Sequence, residues 1–87
     1  NRIDKHTTEE LKQKTLSHCK TIKPGEKIGN KVVKETGDLD GYKFTFDGGW
    51  IIVRASGTEP LLRFYCETTG TDETMEILKS TIDQFKL

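Results

Sequence analysis

The stretch RASGTEPLLRFYCE, residues 54–67, gathers the side chains of this sequence best suited to holding an anion. Arg54 and Arg63 carry permanent charge. A guanidinium offers forked N–H donors that match the oxygens of a phosphate or carboxylate better than an ammonium does. Between the two arginines, Ser56 and Thr58 add hydroxyls, and Gly57 is free to take φ > 0 and let its backbone N–H come close to a ligand. Successive N–H groups in such a turn form a concave anion nest. Taken as plain turn chemistry, the same residues need no ligand, and the arginines would pair at the surface with Glu59 and Glu67. Neither GxxxxGK[ST] nor GxGxxG occurs, so this is not a nucleotide P-loop.

The arginines need two strands to carry them. In 61–67, Leu62, Phe64 and Cys66 share one face, while Leu61, Arg63, Tyr65 and Glu67 share the other. In 50–55, Ile51 and Val53 match the apolar face, leaving Trp50, Ile52 and Arg54 opposite. Arg54 and Arg63 then rise from one uncovered face, nearly opposite or diagonal across neighbouring strands. Like charges so placed repel, which makes sense if an anion lies between them.

Upstream, YKFTF (42–46) alternates with period 2, and Asp47-Gly48-Gly49 signals a tight hairpin into the next strand. KVVKE (31–35) reads as a further strand, followed by a turn over Thr36-Gly37-Asp38-Leu39-Asp40-Gly41. A first helix spans TTEELKQKTLSHCKTIKPG. Thr7 caps it, Glu10 completes a capping box, and Leu11, Leu16, Cys19 and Ile22 form its apolar stripe over a solvated Lys, Gln, Glu and Ser surface. A closing helix carries Met75, Leu78, Ile82 and Phe85 on one face. Short links force the strands antiparallel. The order α-β-β-β-β-α thus predicts a two-layer α+β domain: a four-stranded antiparallel sheet with both helices on one face and the arginines on the other.

With 87 residues the chain is one small domain, residues 1–87. Fourteen basic and fourteen acidic side chains cancel, which leaves no broad basic field of the kind a nucleic-acid binder carries. An RRM-like sheet is the alternative from that class, but its order is β-α-β-β-α-β with stacking aromatics on the open face; here Tyr42, Phe44 and Phe46 fall on the covered face. A small-ligand regulatory domain is a third reading. Cys19 and Cys66 lie 47 positions apart on apolar faces and read as buried thiols rather than a disulfide or a metal pair. His6 and His18 read as surface or helix-face residues, Asp38 and Asp40 as turn residues, and Trp50 and Tyr65 as packing against a neighbouring domain. No apolar run approaches the ~18 residues of a membrane span, and no signal-peptide pattern opens the chain, so a cytoplasmic location is expected. The opening NRID lacks a methionine and suggests a piece of a longer chain.

The RASGTEP run followed by an arginine-bearing strand resembles the R-x-S-G-T-E-P signature of the C-terminal domain of the α-D-phosphohexomutases, the phosphoglucomutase/phosphomannomutase superfamily. The helix, KIGNKVVKE, the aromatic strand, DGGWIIVRASGTEP and the closing helix agree in order, so the resemblance covers nearly the whole chain. It implies a TATA-box-binding-protein-like fold, with the first strand usual in the domain mostly missing before Asn1. It also implies interconversion of hexose 1-phosphate and hexose 6-phosphate through a bisphosphorylated intermediate. Arg54, Ser56, Gly57, Thr58 and Arg63 would contact the substrate phosphate, and Glu59 and Pro60 would shape the loop. The catalytic serine and the acidic loop for Mg2+ would lie in preceding domains of the same chain, with hexose 1,6-bisphosphate as intermediate or activator. No catalytic or metal-binding residue is expected here.

Overall fold

The strands that carry Arg54 and Arg63 lie inside a five-stranded sheet, and the reasons begin with the hairpins. A computed structural model describes residues 2–38 and 41–85. Its elements are β1 (Arg2–His6), α1 (Glu9–Thr21), β2 (Lys27–Ile28), β3 (Lys31–Val32), β4 (Glu35–Gly37), β5 (Tyr42–Phe46), β6 (Gly49–Ala55), β7 (Leu61–Thr68) and α2 (Thr71–Gln84). Phe46 pairs with Gly49, so the β5–β6 hairpin turns on Asp47-Gly48 alone, with Gly48 at φ 90°. That left-handed position is one glycine takes without steric cost.

The sheet order is β1-β7-β6-β5-β4, and every pairing is antiparallel. This is the expected α+β architecture with one strand more than four. The first strand is not missing: Arg2–His6 pairs with β7 from Arg2–Tyr65 to His6–Leu61. KVVKE is not one strand either. Lys31–Val32 pairs back on Lys27–Ile28 in a separate small hairpin, and Glu35–Gly37 pairs with β5. Val33 between them is buried, its N–H donating to the Glu26 carbonyl, while the Lys34 N–H donates to the Thr45 carbonyl. The chain changes partners at that point, and no single strand could serve both. Thr36 and Gly37 therefore belong to β4 and not to the turn. Leu39 and Asp40 lie outside the described residues.

One face of the sheet is buried. Phe44, Phe46, Ile51, Val53, Leu62, Phe64 and Cys66 alternate onto it and join Cys19 and Ile22 of the α1 end with Ile77, Leu78 and Phe85 of the α2 end in one cluster. Both helices thus cover the same face, as the alternation requires. Their stripes differ from the expected ones. In α1 the buried side chains are Lys12, Thr15 and Cys19, with Ile22 just after; Leu11 and Leu16 flank that stripe half-buried. In α2, Thr74, Ile77, Leu78 and Thr81 are buried, and Met75 stands exposed. The helix cap shifts by one residue. Thr8 accepts the Leu11 N–H at 3.1 Å, so the residue three on is a leucine and no capping box forms. The Thr7 N–H donates elsewhere, to the Pro60 carbonyl at 2.8 Å. His18 packs edge-on against Phe85, with centroids 5.3 Å apart.

Cys19 and Cys66 are buried thiols in this core. Burial pushes Cys19 up to about 12 and Cys66 up to about 11, against 9.0 for an open thiol. The stability this contributes is complete below the open-thiol value and is lost as pH rises toward the folded values. At pH 8 an alkylating reagent is expected to label neither thiol in the native chain and both in denaturant. Native labelling at the denatured rate would show that the face is not closed.

Candidate functional site

The site is built where β6 ends and β7 begins. Arg54 and Arg63 are direct cross-strand partners, so their Cβ atoms are within ~4.5–5.5 Å of each other. The sequence left opposite and diagonal placements open; the register makes it opposite. Both rise on the face away from the helices, Arg54 exposed and Arg63 half-buried. The loop of residues 56–60 joins their strands. Ser56 N–H donates to the Leu61 carbonyl at 3.0 Å, and Leu61 N–H donates to the Glu59 carbonyl at 2.7 Å. All five expected anion contacts therefore fall at one end of the sheet, with Glu59 and Pro60 beside them.

Three features of the loop differ from a reading of its sequence. Gly57 does not lie in the left-handed region, and an added Cβ would meet nothing within 4 Å. Its glycine identity is thus not required by the fold seen here. The Ser56 hydroxyl accepts from the Thr58 N–H at 3.5 Å, a weak bracing within the loop. Finally, neither Glu59 nor Glu67 pairs with an arginine. The carboxylate beside Arg63 is Asp4, its cross-strand partner on β1, with Oδ1 at 3.9 Å from Arg63 Nε and 3.3 Å from Arg2 Nε. The buried Arg63 Nε makes no hydrogen bond. Arg54 has no ion pair among the described residues. One row across the open face thus reads Asp4, Arg63, Arg54, a carboxylate followed by two guanidiniums.

Behind the loop stands a residue that reads from sequence as solvated. Lys12 of α1 is 6% exposed. Its ammonium lies 3.3 Å from the Ser56 carbonyl, 3.4 Å from the Glu59 carbonyl and 3.1 Å from Glu9 Oε1. Hydrogen bonds from Gln13 and Lys12 hold the Glu9 carboxyl below its ordinary range. Asp4 and Lys12 are the two residues sequence reasoning missed. The spacing 12, 15, 19, 22 was the available signal for Lys12, since it is the helical stripe that is in fact buried. For Asp4 the signal was the alternation around Ile3.

Farther along the open face, Tyr65 faces Ile52, and Trp50 faces Thr45 and Glu67. Trp50 and Tyr65 are half-buried, and the Lys43 ammonium lies 5.1 Å from the Trp50 ring centroid, a cation–π contact. Tyr42, Phe44 and Phe46 point to the covered side, as their alternation predicts.

A family model described as phosphoglucomutase/phosphomannomutase, C-terminal domain, matches residues 7–84. The chain belongs to this family. Relatives of the phosphoglucomutase/phosphomannomutase C-terminal domain include a phosphoglucomutase/phosphomannomutase of Thermococcus kodakarensis, 40% identical over 61 residues, 70% of this chain and 12% of that protein. A phosphoglucosamine mutase of Methanococcus maripaludis is 40% identical over 76 residues, 87% of this chain and 16% of its own length. A phosphoglucosamine mutase of Methanocaldococcus jannaschii is 35% identical over 78 residues, 90% of this chain and 16% of its own. The chain therefore spans less than a fifth of the length of each of these three relatives. No helix among the described residues is long and apolar enough to cross a membrane.

Proposed function

We propose that this chain is the substrate-phosphate-binding C-terminal domain of a phosphohexomutase that interconverts hexose 1-phosphate and hexose 6-phosphate through a bisphosphorylated intermediate. The observation that carries it is the direct pairing of Arg54 with Arg63 at the mouth of the 56–60 loop. Two like charges face each other there at a cost to the sheet, and a phosphate offsets it by accepting forked hydrogen bonds from both. The Ser56 and Thr58 hydroxyls and the Gly57 N–H complete the grip, while Glu59 and Pro60 shape the loop.

Such a clamp reads the phosphate and not the sugar. The hexose is then free to present either end to the catalytic centre while the same arginines hold whichever phosphate is distal. The contribution is positioning and electrostatic stabilisation, not proton transfer. Recognition of the sugar hydroxyls, the phosphorylated serine and the magnesium ligands belong to preceding domains. Among the described residues no group of three or more His, Cys, Asp or Glu is placed to hold a metal. The half-buried Trp50 and Tyr65 beside the arginines suit a surface packed against those domains, in a cytoplasmic enzyme.

Two measurements test this. The full-length enzyme is expected to convert hexose 1-phosphate to hexose 6-phosphate, and a clean preparation of the 87 residues alone to show no turnover; conversion by the isolated chain would overturn the division of labour. Asp4→Asn is expected to tighten binding of inorganic phosphate to the chain by about threefold, because a competing carboxylate charge is removed. Apo stability should fall by no more than about 1 kcal/mol, the ordinary range of an exposed pair. Equal affinities in a calorimetric titration would remove Asp4 as a competitor.

A further inference from the structure

We infer that Lys12 is a positioning residue of the phosphate site: its buried ammonium orients the Ser56–Gly57 peptide so that the Gly57 N–H faces the bound phosphate. The inference rests on the phosphate-clamp reading above and adds to it a residue from the opposite layer of the domain.

An ammonium has three N–H donors, and Lys12 has three acceptors around it, the Ser56 and Glu59 carbonyls and Glu9 Oε1. Its donors are therefore all engaged, and none is left for a ligand. What Lys12 does to a ligand passes through the loop. A trans peptide is planar, with its C=O and N–H directed oppositely; no peptide of the described chain is cis. The Ser56 carbonyl points at Lys12, so the Gly57 N–H of the same peptide points away from it. Lys12 reaches the loop from α1, which lies on the covered face, and the arginines stand on the other. The N–H thus turns toward the side where Arg54 and Arg63 rise. A cation at the carbonyl end also polarises the peptide and strengthens its N–H as a donor.

A lysine this buried is uncommon unless paired, and the pairing here serves two loop carbonyls 44 and 47 positions away in sequence. On the face that the helix buries, an apolar residue would fill the space without any such partner. The loop carbonyls are the feature that calls for a cation.

The test is a titration of inorganic phosphate into the 87-residue chain, followed by amide NMR at fixed ionic strength with chloride as the control. In the unaltered chain the Gly57 amide should move downfield and saturate, and the Lys12 Cε resonance should move with the same dissociation constant. Lys12→Met should keep a folded spectrum, bind phosphate about tenfold more weakly, the low end for one charge-assisted hydrogen bond, and lose the Gly57 shift. Lys12→Arg should restore most of both. If Lys12→Met binds as tightly as the unaltered chain with the same Gly57 shift, while Arg54→Ala binds weakly, Lys12 has no part in the site and the arginine clamp stands. If no amide of residues 56–58 responds in the unaltered chain, the clamp falls and this inference with it. Should Lys12→Met fail to fold, the Lys12 resonance of the unaltered chain decides, and a resonance flat through saturation overturns the proposal.

Discussion

Arg54→Ala in the full-length enzyme is expected to lower kcat/KM by roughly 10- to 150-fold, the loss of one hydrogen-bonded contact to a charged group at ~1.5–3 kcal/mol. Arg63→Ala should cost as much in activity. The two should part company in stability. Arg54 is exposed and faces a like charge, so its removal relieves repulsion and apo Tm should hold or rise slightly. Arg63 is half-buried and sits beside Asp4, so its removal takes away packing of the side-chain stem as well as a long ion pair; apo Tm should hold or drop a little. Lysine at either position should recover only part of the activity, because an ammonium lacks the fork. Steady-state kinetics with a phosphate-free melting curve reads both effects. Variants that unfold, with kcat/KM of the folded fraction unchanged, would make the arginines structural and end the clamp.

The largest stability effect should come from a glycine at the opposite end of β6 from the arginine site. Gly49→Ala places a Cβ onto the Glu67 carbonyl oxygen and 3.0 Å from Thr68 Cα. Both are backbone atoms of β7 held in its ladder with β6, where Thr68 faces Gly49 and Glu67 faces Trp50, so neither yields as a side-chain tip would. Overpacking typically costs ~1–3 kcal/mol, and a clash with paired backbone belongs at or beyond the upper end. A chain of this size has only ~4–13 kcal/mol in total, so the denaturation midpoint should fall sharply. Gly57→Ala is the control. Its Cβ meets open space, and the midpoint should not move. Equal midpoints for Gly49→Ala and the unaltered chain would mean that the β6–β7 register is wrong, and the facing arginines with it.

The parts of the fold legible in the sequence are those where local pattern and tertiary demand agree. Strands β5, β6 and β7 have one buried face, so apolar alternation marks them, and Asp47-Gly48 fixes the hairpin between the first two. Once the apolar faces are aligned, Arg54 and Arg63 must share the other, and the site follows. The failures have a common cause in non-local partners. Arg2–His6 holds one aliphatic residue, Ile3, because an edge strand buries little, and its pairing partner lies some sixty residues on. Val32 and Val33 read as one strand because β-branching favours extension whatever the partner, yet the chain pairs in two directions there. Lys12 reads as solvent because charge does, and only the loop carbonyls brought to it by the fold reverse that. Leu11 and Leu16 drew the helix stripe off its true centre for the same reason: the buried face of α1 is partly polar.

Strand β1 has a bearing on how this domain must be bounded. The family match begins at residue 7, one residue after β1 ends. A chain started there would uncover the outer side of β7, leaving a row of backbone N–H and C=O groups unpaired beside Tyr65 and Leu61. Such a bare edge is a template on which a second chain can add a strand. The far edge is guarded by its own brevity, since β4 is three residues long, fully exposed and opens with a glutamate. Residues 2–6 therefore act as the guard strand of the side that bears the arginines, and a domain trimmed to its recognisable signature would lay bare an unpaired edge on the very strand that holds Arg63.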